Sequence, residues 1–522
     1  MDDDFDIMVI GGGAGGGTLA ANCAAAGKRV LLVERGQGPA VEMRVAGTAR
    51  GSFHDEAATL IDRGPYDDRR IEVNGTAARL YMGGILGGGT SVYGAALLRP
   101  APADFTPGRY YADRIPPEIR DWPISFSSFE PFLEAAERLY HVADGPCTTS
   151  AGTADATSTG GHTGDMFAPA MPAAAACQGL PLALINQRLM QAARTAGLSP
   201  YRLPLAIDAA RCLRCDSCAG FVCPTGARRS SAQLVQETIS RGHPLTLRVN
   251  CEAVRLERGH RGRLAGVWLR NRIDGSLDRI RARRYVLAAG AIGSAALLLQ
   301  SGFDHPQAGR NYMMHYSPLV VGVFAGTTEA GRTFVKQVGC SDYYYGTREL
   351  PEKMGIIQSL PAPGPLMMAR SGLKLIPVWM LNILRSRLLP LLGIVEDLPD
   401  PENRVSVTAS GAIQLRHQFS DYDRIRGREM ARQMSRLLRQ TGAIHCVTGL
   451  FPTQEHVAHQ CGTLRFGTSR TYACADPECR LFDLPDVFVA DGSFMPTSLG
   501  VGPSLTIIGN ALRVAGIVAS ET

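Results

Sequence analysis

The chain has 522 residues, more than one hydrophobic core usually supports, which predicts two structural domains. Hydrophobic residues make up 45% of the chain and charged residues 20%, values typical of a folded globular protein. The net charge of +6 is small for this length and the basic residues are scattered, which argues against nucleic acid as a partner.

The N-terminal segment, Met1-Asp2-Asp3-Asp4, is acidic and has neither the basic start nor the cleavage site of a signal peptide. Thirteen cysteines without a secretion signal argue against a disulfide framework. We therefore expect a cytoplasmic protein whose thiols are mostly free.

A glycine loop follows the first predicted strand, residues 5–10, and precedes an Ala-rich predicted helix, residues 19–26. Gly11, Gly13 and Gly16 fit the pattern G-x-G-x-x-G. In this pattern the first glycine makes a tight turn, the second admits a pyrophosphate and the third lets helix approach strand. The helix N-terminus then faces the anion.

A second predicted strand, residues 29–33, ends at Glu34, eighteen residues after Gly16. A carboxylate at this place can accept hydrogen bonds from the hydroxyl groups of an adenosine ribose, and it disfavours a 2′-phosphate. The segment therefore predicts a dinucleotide site, with FAD and NAD both open.

A second glycine cluster spans residues 83–94 and is too rich in glycine for the interior of a helix or strand. It resembles the flavin-contacting loop of the glucose-methanol-choline oxidoreductases, including their cholesterol oxidase branch. The resemblance continues at Arg99 and Asp104-Phe105. It then recurs in the family's order at Trp122-Pro123-Ile124, Glu252-Ala253-Val254, residues 286–294, Gly309-Arg310-Asn311 with His315, and residues 401–405.

The resemblance implies FAD as the cofactor and an α/β fold with two parts. One is a Rossmann-like FAD-binding domain, which we place at residues 1–115, 206–309 and 446–522. The other is a substrate-binding domain and lid with a mainly antiparallel sheet, at residues 116–205 and 310–445.

The same resemblance implies a set of FAD-contacting residues. They are Gly11, Gly13, Ala14, Gly15, Gly16, Glu34, Arg35, Gly87, Gly88, Thr90, Tyr93, Gly94, Ala96, Val254, Ala289, Gly290, Asp491, Gly492, Gly502 and Ser504.

Residues 459–467, His-Gln-Cys-Gly-Thr-Leu-Arg-Phe-Gly, resemble the family's active-site pattern H-x-x-G-T-x-R-x-G, which implies that His459 is catalytic. An imidazole that titrates near neutrality can take a hydroxyl proton while a hydride leaves the adjacent carbon for flavin N5. The alternative is a buried histidine bonded to backbone. His456 is a weaker candidate for the base.

Gly502 departs from the family pattern, because relatives usually carry Asn or His immediately before this Pro-x-Leu-Thr segment. A glycine has no side chain that can hold or deprotonate an alcohol. We expect oxidation of an alcohol group on a small or apolar substrate, with oxygen or a protein as electron acceptor. The alternatives are a non-redox flavoenzyme, a lyase or isomerase, and a flavin-binding protein that has lost catalysis.

Four cysteines, Cys212, Cys215, Cys218 and Cys223, are spaced almost like a ferredoxin run, although the last gap is one residue longer. They can be ligands of an iron–sulfur cluster, free structural thiols, zinc ligands or disulfides. No other metal site is predicted.

An apolar stretch, residues 373–395, is interrupted by Pro377 and Pro390, so it is too short to span a bilayer. Its near-helical spacing of apolar residues predicts a buried core helix. A substrate gate or a contact with a membrane surface is the alternative.

Overall fold

The computed structural model of the protein describes residues 4–38, 56, 64–143, 179–370, 372–450 and 458–522. In chain order its helices are α1 (Ala14–Ala25), α2 (Gly108–Tyr111), α3 (Phe126–Leu139), α4 (Leu184–Thr195), α5 (Ser231–Ser240), α6 (Gly290–Gln300), α7 (Pro365–Arg370), α8 (Val378–Arg385), α9 (Asp421–Gln440) and α10 (Ser504–Ser520).

The strands, again in chain order, are β1 (Phe5–Ile10), β2 (Val30–Val33), β3 (Ile71–Val73), β4 (Thr76–Ala78), β5 (Tyr201–Arg202), β6 (Leu245–Arg248), β7 (Cys251–Arg258), β8 (Leu264–Asn271), β9 (Leu277–Ile280), β10 (Ala282–Leu287), β11 (Leu319–Val323), β12 (Val338–Cys340), β13 (Gly355–Ser359), β14 (Leu388–Val395), β15 (Arg404–Val407), β16 (Ile413–Arg416), β17 (His445–Leu450), β18 (Arg480–Leu481) and β19 (Leu484–Val489).

The central sheet has six strands in the order β18-β19-β10-β1-β2-β6. All neighbours are parallel except β18, which is antiparallel to β19. All four residues of β2 are buried, as are the last four of β1, which is the pattern of a parallel sheet covered on both faces. Helix α1 crosses from β1 to β2 and packs against α5 and α10.

The second sheet is antiparallel throughout, in the order β17-β11-β14-β13-β12-β5. Helix α9 packs on β11 and β14, and α4 packs on α9. Strand β17 pairs with β11, so residues 446–450 lie in this sheet, although the sequence-based division groups them with the parallel one. Two small sheets, β7-β8-β9 and β15-β16-β3-β4, complete the fold and confirm the predicted mixed α/β class.

The prediction of a buried core helix over residues 373–395 is wrong. Helix α8 ends at Arg385, and the apolar residues after it form β14, which pairs with β11 and β13 in the middle of the antiparallel sheet. Before that strand, Leu375 is 98% exposed and Trp379 is 64% exposed. Short apolar runs fit a strand or a helix equally well, and here strand pairing decides. Within the described ranges, no helix combines the length and the apolar character needed to cross a membrane.

A buried ionic cluster joins Asp104, in a short 3-10 helix at Pro102–Phe105, to Lys353 and Glu396, which adjoin β13 and β14. The ammonium group of Lys353 pairs with the carboxylates of Asp104, at 2.9 Å, and of Glu396, and all three side chains are fully buried. Burial opposes the charged form of Lys353, yet the two carboxylates outweigh it and raise the pKa of Lys353 well above its ordinary value. Arg426 donates to the Glu396 carbonyl at 2.7 Å and to Asp423 at 2.6 Å, which ties α9 to the same cluster.

We expect Lys353→Met to lower the free energy of unfolding by about 3–5 kcal/mol, because two buried carboxylates would lose their cation. Urea unfolding followed by tryptophan fluorescence measures the loss. Lys374→Met, which removes an exposed lysine, is the matched control and should unfold like the wild type. Equal unfolding midpoints for both variants would show that the cluster does not stabilise the fold.

Candidate active site

A cavity of about 1450 Å³ lies between the carboxyl ends of the parallel strands and one face of the antiparallel sheet. Ile10 and Val33 line it from the ends of β1 and β2, and Gln358, Leu392 and Ile394 line it from β13 and β14. Ligand pockets usually measure roughly 300–1,000 Å³, so this cavity has room for a large cofactor together with a substrate.

Three helices begin at the cavity wall, where Ala14, Gly290 and Ser504 open α1, α6 and α10. None of the three has an acidic residue in its first turn or a cap from the side chain of its own N-cap residue, although the Gly290 N–H of α6 donates to the Asp491 carboxylate. Helix N-termini carry partial positive charge and backbone N–H groups without helical partners. The wall therefore suits an anionic ligand.

The glycine loop fits a pyrophosphate. A Cβ at Gly15 would lie 1.6 Å from the Ala490 carbonyl oxygen, and one at Gly16 would lie 1.9 Å from that of Gly11, so helix and strands approach too closely for any side chain. A Cβ at Gly13 would meet no protein atom within 4 Å, since this residue faces the cavity. The loop is thus packed on its protein side and open on its ligand side, as a dinucleotide cradle requires.

Glu34 stands at the end of β2 and lines the cavity. Its carboxylate accepts hydrogen bonds from the N–H of Gly12, at 2.9 Å, and of Gly36, at 2.7 Å. Burial raises the pKa of Glu34, and these two N–H groups act in the opposite direction. The carboxylate is therefore held in place at the end of the cavity where a ribose of a dinucleotide would lie.

His459 also lines the cavity, and its ring is linked to a second histidine. Nδ1 of His459 lies 2.8 Å from Nδ1 of His315, and Nε2 of His315 lies 2.9 Å from the Leu499 carbonyl oxygen. The two rings meet edge to face, with centroids 4.9 Å apart.

These contacts fix the tautomers of both rings. A carbonyl oxygen only accepts, so Nε2 of His315 carries a proton and donates to Leu499. Burial lowers the pKa of His315 to about 4, so the ring is neutral at neutral pH and its Nδ1 is an acceptor. Nδ1–H of His459 must then donate to it, which leaves the lone pair of the His459 Nε2 atom free.

The carbonyl of Leu499 is itself held by the buried ionic cluster. Leu499 has a left-handed backbone, with a φ of 68°, and its N–H donates to Glu396 Oε1 at 3.1 Å. The N–H of Gly500 donates to the Tyr344 hydroxyl at 3.1 Å, and that hydroxyl donates to Asp104 at 2.5 Å. A backbone in this sparsely populated region persists only when its surroundings determine it, as they do here.

Comparison with known proteins decides the family. Two family models, both described as GMC oxidoreductase, match residues 5–317 and 399–511. The chain belongs to the GMC oxidoreductase family. GMC oxidoreductases bind FAD, and the glycine cradle, Glu34 and the three helix N-termini fit that cofactor.

Relatives of known activity are oxidases. The chain is 29% identical to 6'''-hydroxyparomomycin C oxidase of Streptomyces lividus, over 99% of this chain and 92% of that protein. It is 27% identical to paromamine 6'-oxidase of Streptomyces fradiae, over 100% and 92%. A long-chain-alcohol oxidase of Arabidopsis thaliana is 24% identical, over 99% and 67%.

Solved structures show the same fold at lower identity. Pyridoxine 4-oxidase from Mesorbium loti has a TM-score of 0.66 and 19% identity, over 98% of this chain and 99% of that one. A formate oxidase from Aspergillus oryzae has a TM-score of 0.67 and 15% identity, over 100% and 99%.

The cavity brings together most of the residues that the sequence predicts for this GMC site. Those that line it are Gly11, Gly13, Ala14, Gly15, Glu34, Arg35, Gly88, Thr90, Tyr93, Gly94, Ala96, Ala289, Gly290, His459, Asp491, Gly492, Gly502 and Ser504. Three others, Gly16, Gly87 and Val254, do not line it, although residues 251–253 do. His456 lies outside the described residues.

Two of the residues predicted to contact FAD, Asp491 and Arg35, bond to other protein groups through their polar side chains. Asp491 accepts from the Gly290 N–H at 2.9 Å and from the hydroxyl of Ser294 at 2.5 Å, and Ser493 bonds to its other oxygen. Arg35 pairs with Asp67, Asp68 and Glu252. These residues shape the cavity wall through contacts with neighbouring protein groups.

The iron–sulfur interpretation of the cysteine run has no support in the structure. Among the residues that the structure describes, no group of three or more His, Cys, Asp or Glu side chains could hold a metal ion. None of Cys212, Cys215, Cys218 and Cys223 forms a disulfide. Spacing in sequence suggests shared ligation, but only the loop's path decides whether the sulfur atoms converge.

Two residues of this site were missed by sequence reasoning. His315 was noted only as part of a family motif, and nothing in its spacing indicates a bond to His459, 144 residues away. Lys336 lies in an ordinary stretch, Phe-Val-Lys-Gln-Val, and lines the cavity. Both reach the site through folding of distant segments.

We expect Gly13→Ala to fold normally but to lower the affinity for FAD roughly tenfold or more, because its methyl group would enter the cofactor's space. Titration of FAD-free protein with FAD, followed by flavin fluorescence, measures the affinity. Gly516→Ala, an exposed position on α10 with equal room for a methyl group, is the control. Unchanged affinity in Gly13→Ala would place the pyrophosphate elsewhere.

Proposed function

We propose that this protein uses FAD to oxidise a CH–OH group of a small-molecule alcohol, with His459 as the base and oxygen as the electron acceptor. The observation that carries the proposal is the free lone pair of the His459 Nε2 atom, which the link through His315 to Leu499 leaves at the cavity wall. A base in this state is ready to accept a proton.

Different residues would hold the different parts of FAD. The glycine loop and the N-terminus of α1 suit the pyrophosphate, and Glu34 suits the adenosine ribose. Gly88, Thr90, Tyr93, Gly94 and Ala96, together with Ser504 at the N-terminus of α10, line the same cavity and would hold the flavin ring. When bound, FAD supplies flavin N5 as the acceptor of the hydride from the carbinol carbon.

Within this frame His459 takes the hydroxyl proton at Nε2. Burial, with contributions from His315 and from the positive charge of Lys336, holds the pKa of His459 well below its ordinary value. The ring is therefore neutral before reaction. The imidazolium that forms keeps its Nδ1–H bond to His315, which stabilises the charged ring while it exists.

The comparisons favour oxidation over the non-redox alternative that Gly502 suggests. The relatives named above are oxidases that act on paromamine, on 6'''-hydroxyparomomycin C or on long-chain alcohols, as their names state. The antiparallel sheet lines the cavity with apolar residues such as Leu392 and Ile394 and with the polar Gln358. We therefore extend the proposal to alcohols of the size of a sugar unit or a fatty alcohol.

Anaerobic mixing of the holoenzyme with paromamine, dodecanol and pyridoxine tests the reaction. We expect at least one of these alcohols to bleach the visible absorption of the bound flavin, and admission of air to restore it with formation of hydrogen peroxide. Product formation without bleaching would overturn oxidation. Reoxidation by a dye but not by air would overturn oxygen as the acceptor.

The two histidines have separable roles. We expect His459→Ala to slow anaerobic flavin reduction roughly 10²–10⁴-fold at unchanged flavin content, the usual worth of a general base. His315→Leu should also slow it, whereas His315→Gln should retain much of the rate, because an amide can donate to Leu499 and accept from His459.

His260→Ala, which removes an exposed histidine, is the matched control for both sites. Full activity of His459→Ala would exclude His459 as the base. Equal rates for His315→Leu and His315→Gln would exclude the positioning role of His315.

A further inference from the structure

Lys336 is a buried cation without a counter-ion. The chain has only four lysines, and the other buried one, Lys353, pairs with two carboxylates. Lys336 is 6% exposed, and the residues that the structure describes offer its ammonium group neither an ion pair nor a hydrogen bond. An unpaired buried charge is costly, so such a group is a candidate for a ligand site.

The backbone around Lys336 is fixed from both sides. Asp216, in the cysteine segment, accepts from the N–H groups of Gly331, at 2.9 Å, and Val335, at 3.0 Å. On the other side, Gln337 accepts from the Ala183 N–H at 2.9 Å and donates to the Pro181 carbonyl at 2.7 Å. The lysine is therefore directed to the cavity by a rigid support.

The ammonium group of Lys336 lies in the part of the cavity that His459 and Gly94 line, called the reaction end below. A Cβ at Gly94 would be 2.2 Å from the Lys336 Nζ atom, so the glycine at this point of the predicted flavin loop makes room for the lysine. Lys336 lines the same cavity as His459, and its charge is close enough to lower the pKa of that histidine.

Beside His459 the wall has an open place. A Cβ at Gly502 would lie 3.4 Å from the His459 Nε2 atom, an ordinary contact distance, so nothing in the packing demands a glycine there. The position next to the base therefore contributes no polar group to a bound alcohol. Of the described residues, Lys336 brings an unpaired hydrogen-bond donor to this end of the cavity.

We propose that Lys336 is a second catalytic group, whose ammonium N–H donates a hydrogen bond to the hydroxyl oxygen of the alcohol, a contact that Gly502 cannot make. This inference rests on the proposed function. The hydroxyl proton passes to the His459 Nε2 atom and the hydride, with its electron pair, passes to flavin N5, so the carbinol becomes a carbonyl. A nearby cation stabilises the negative charge that develops on the oxygen.

The charged groups around Lys336 set its useful pH range. Cys218 and Arg228 act on the pKa of Lys336, and Lys336 acts on that of His459; none of these three is an acid ionised at neutral pH. Asp216, which accepts from the Val335 N–H, also lines the cavity, and burial raises its pKa to about 7. Burial lowers the pKa of Lys336 to about 8. The ammonium form is therefore present below this pH and is lost as pH rises through it, and the rate of oxidation should fall over the same interval.

The experiment compares Lys336→Met, Lys336→Arg and the exposed control Lys374→Met as holoenzymes. With the alcohol that reduces the wild-type flavin fastest, we expect Lys336→Met to slow anaerobic flavin reduction roughly 10²–10³-fold. Lys336→Arg should restore part of the rate and should not lose it above pH 8, because a guanidinium stays protonated there.

A readout without turnover separates catalysis from structure. Removing an unpaired buried charge should leave the unfolding temperature of the holoenzyme unchanged or raised, at equal flavin content. In addition, the absorption of the bound flavin should titrate near pH 8 in the wild type and not in Lys336→Met. This titration is valid even if no alcohol reduces the flavin, so a failed proposed function is distinguishable from a failed role of Lys336.

Three outcomes would overturn the proposal. An unchanged rate of anaerobic reduction in Lys336→Met excludes a contact with the alcohol. If the flavin of Lys336→Met is reduced by the alcohol at the normal rate but is reoxidised by oxygen more slowly, the ammonium group acts in the reaction with oxygen and not on the alcohol. If Lys336→Met unfolds at a lower temperature than the wild type, and its flavin absorption still titrates near pH 8, Lys336 has a structural role.

Discussion

The hydrogen bond from the Leu499 N–H to Glu396 connects the buried core of this protein to its chemistry. Glu396 belongs to a cluster with Lys353 and Asp104 that water does not reach. The bond holds Leu499 in a left-handed conformation, which turns its carbonyl toward His315. That carbonyl selects the tautomer of His315, and His315 in turn selects the tautomer of His459. The stability of the fold and the state of the proposed base thus depend on one set of contacts.

The cavity combines a positively charged wall with a neutral base, two features that are hard to place side by side. Its wall presents three helix N-termini and an unpaired ammonium group, which favour anions and developing negative charge. The same positive field keeps the His459 ring neutral before reaction, but it also makes that ring a weaker proton acceptor. A cation next to the substrate oxygen offsets this loss, because it stabilises the negative charge that develops on that oxygen as the proton leaves.

The glycines of the cofactor cradle and the glycine beside the proposed base differ in how tightly the protein packs around them. The glycine loop is so tightly packed that Gly15 and Gly16 allow no side chain, whereas Gly502 has room for one. Steric contacts require glycine at positions 15 and 16. At position 502 a side chain would fit, so a glycine there affects the chemistry of the site and not its packing. This difference explains why a departure at Gly502 leaves the fold intact and directs attention to Lys336.

The sequence by itself determined the family and the mixed α/β class, and it indicated the dinucleotide loop and His459 as a candidate base, because these depend on local spacing: glycines in one turn, apolar runs in one strand, a motif in one segment. It did not determine the path of residues 373–395, where strand pairing overrode helical periodicity. Only the tertiary structure showed the bond between His315 and His459 and the approach of Lys336 to Gly94. Those contacts join residues more than 140 positions apart, and no local pattern encodes them, since their geometry comes from how the two sheets pack around the cavity.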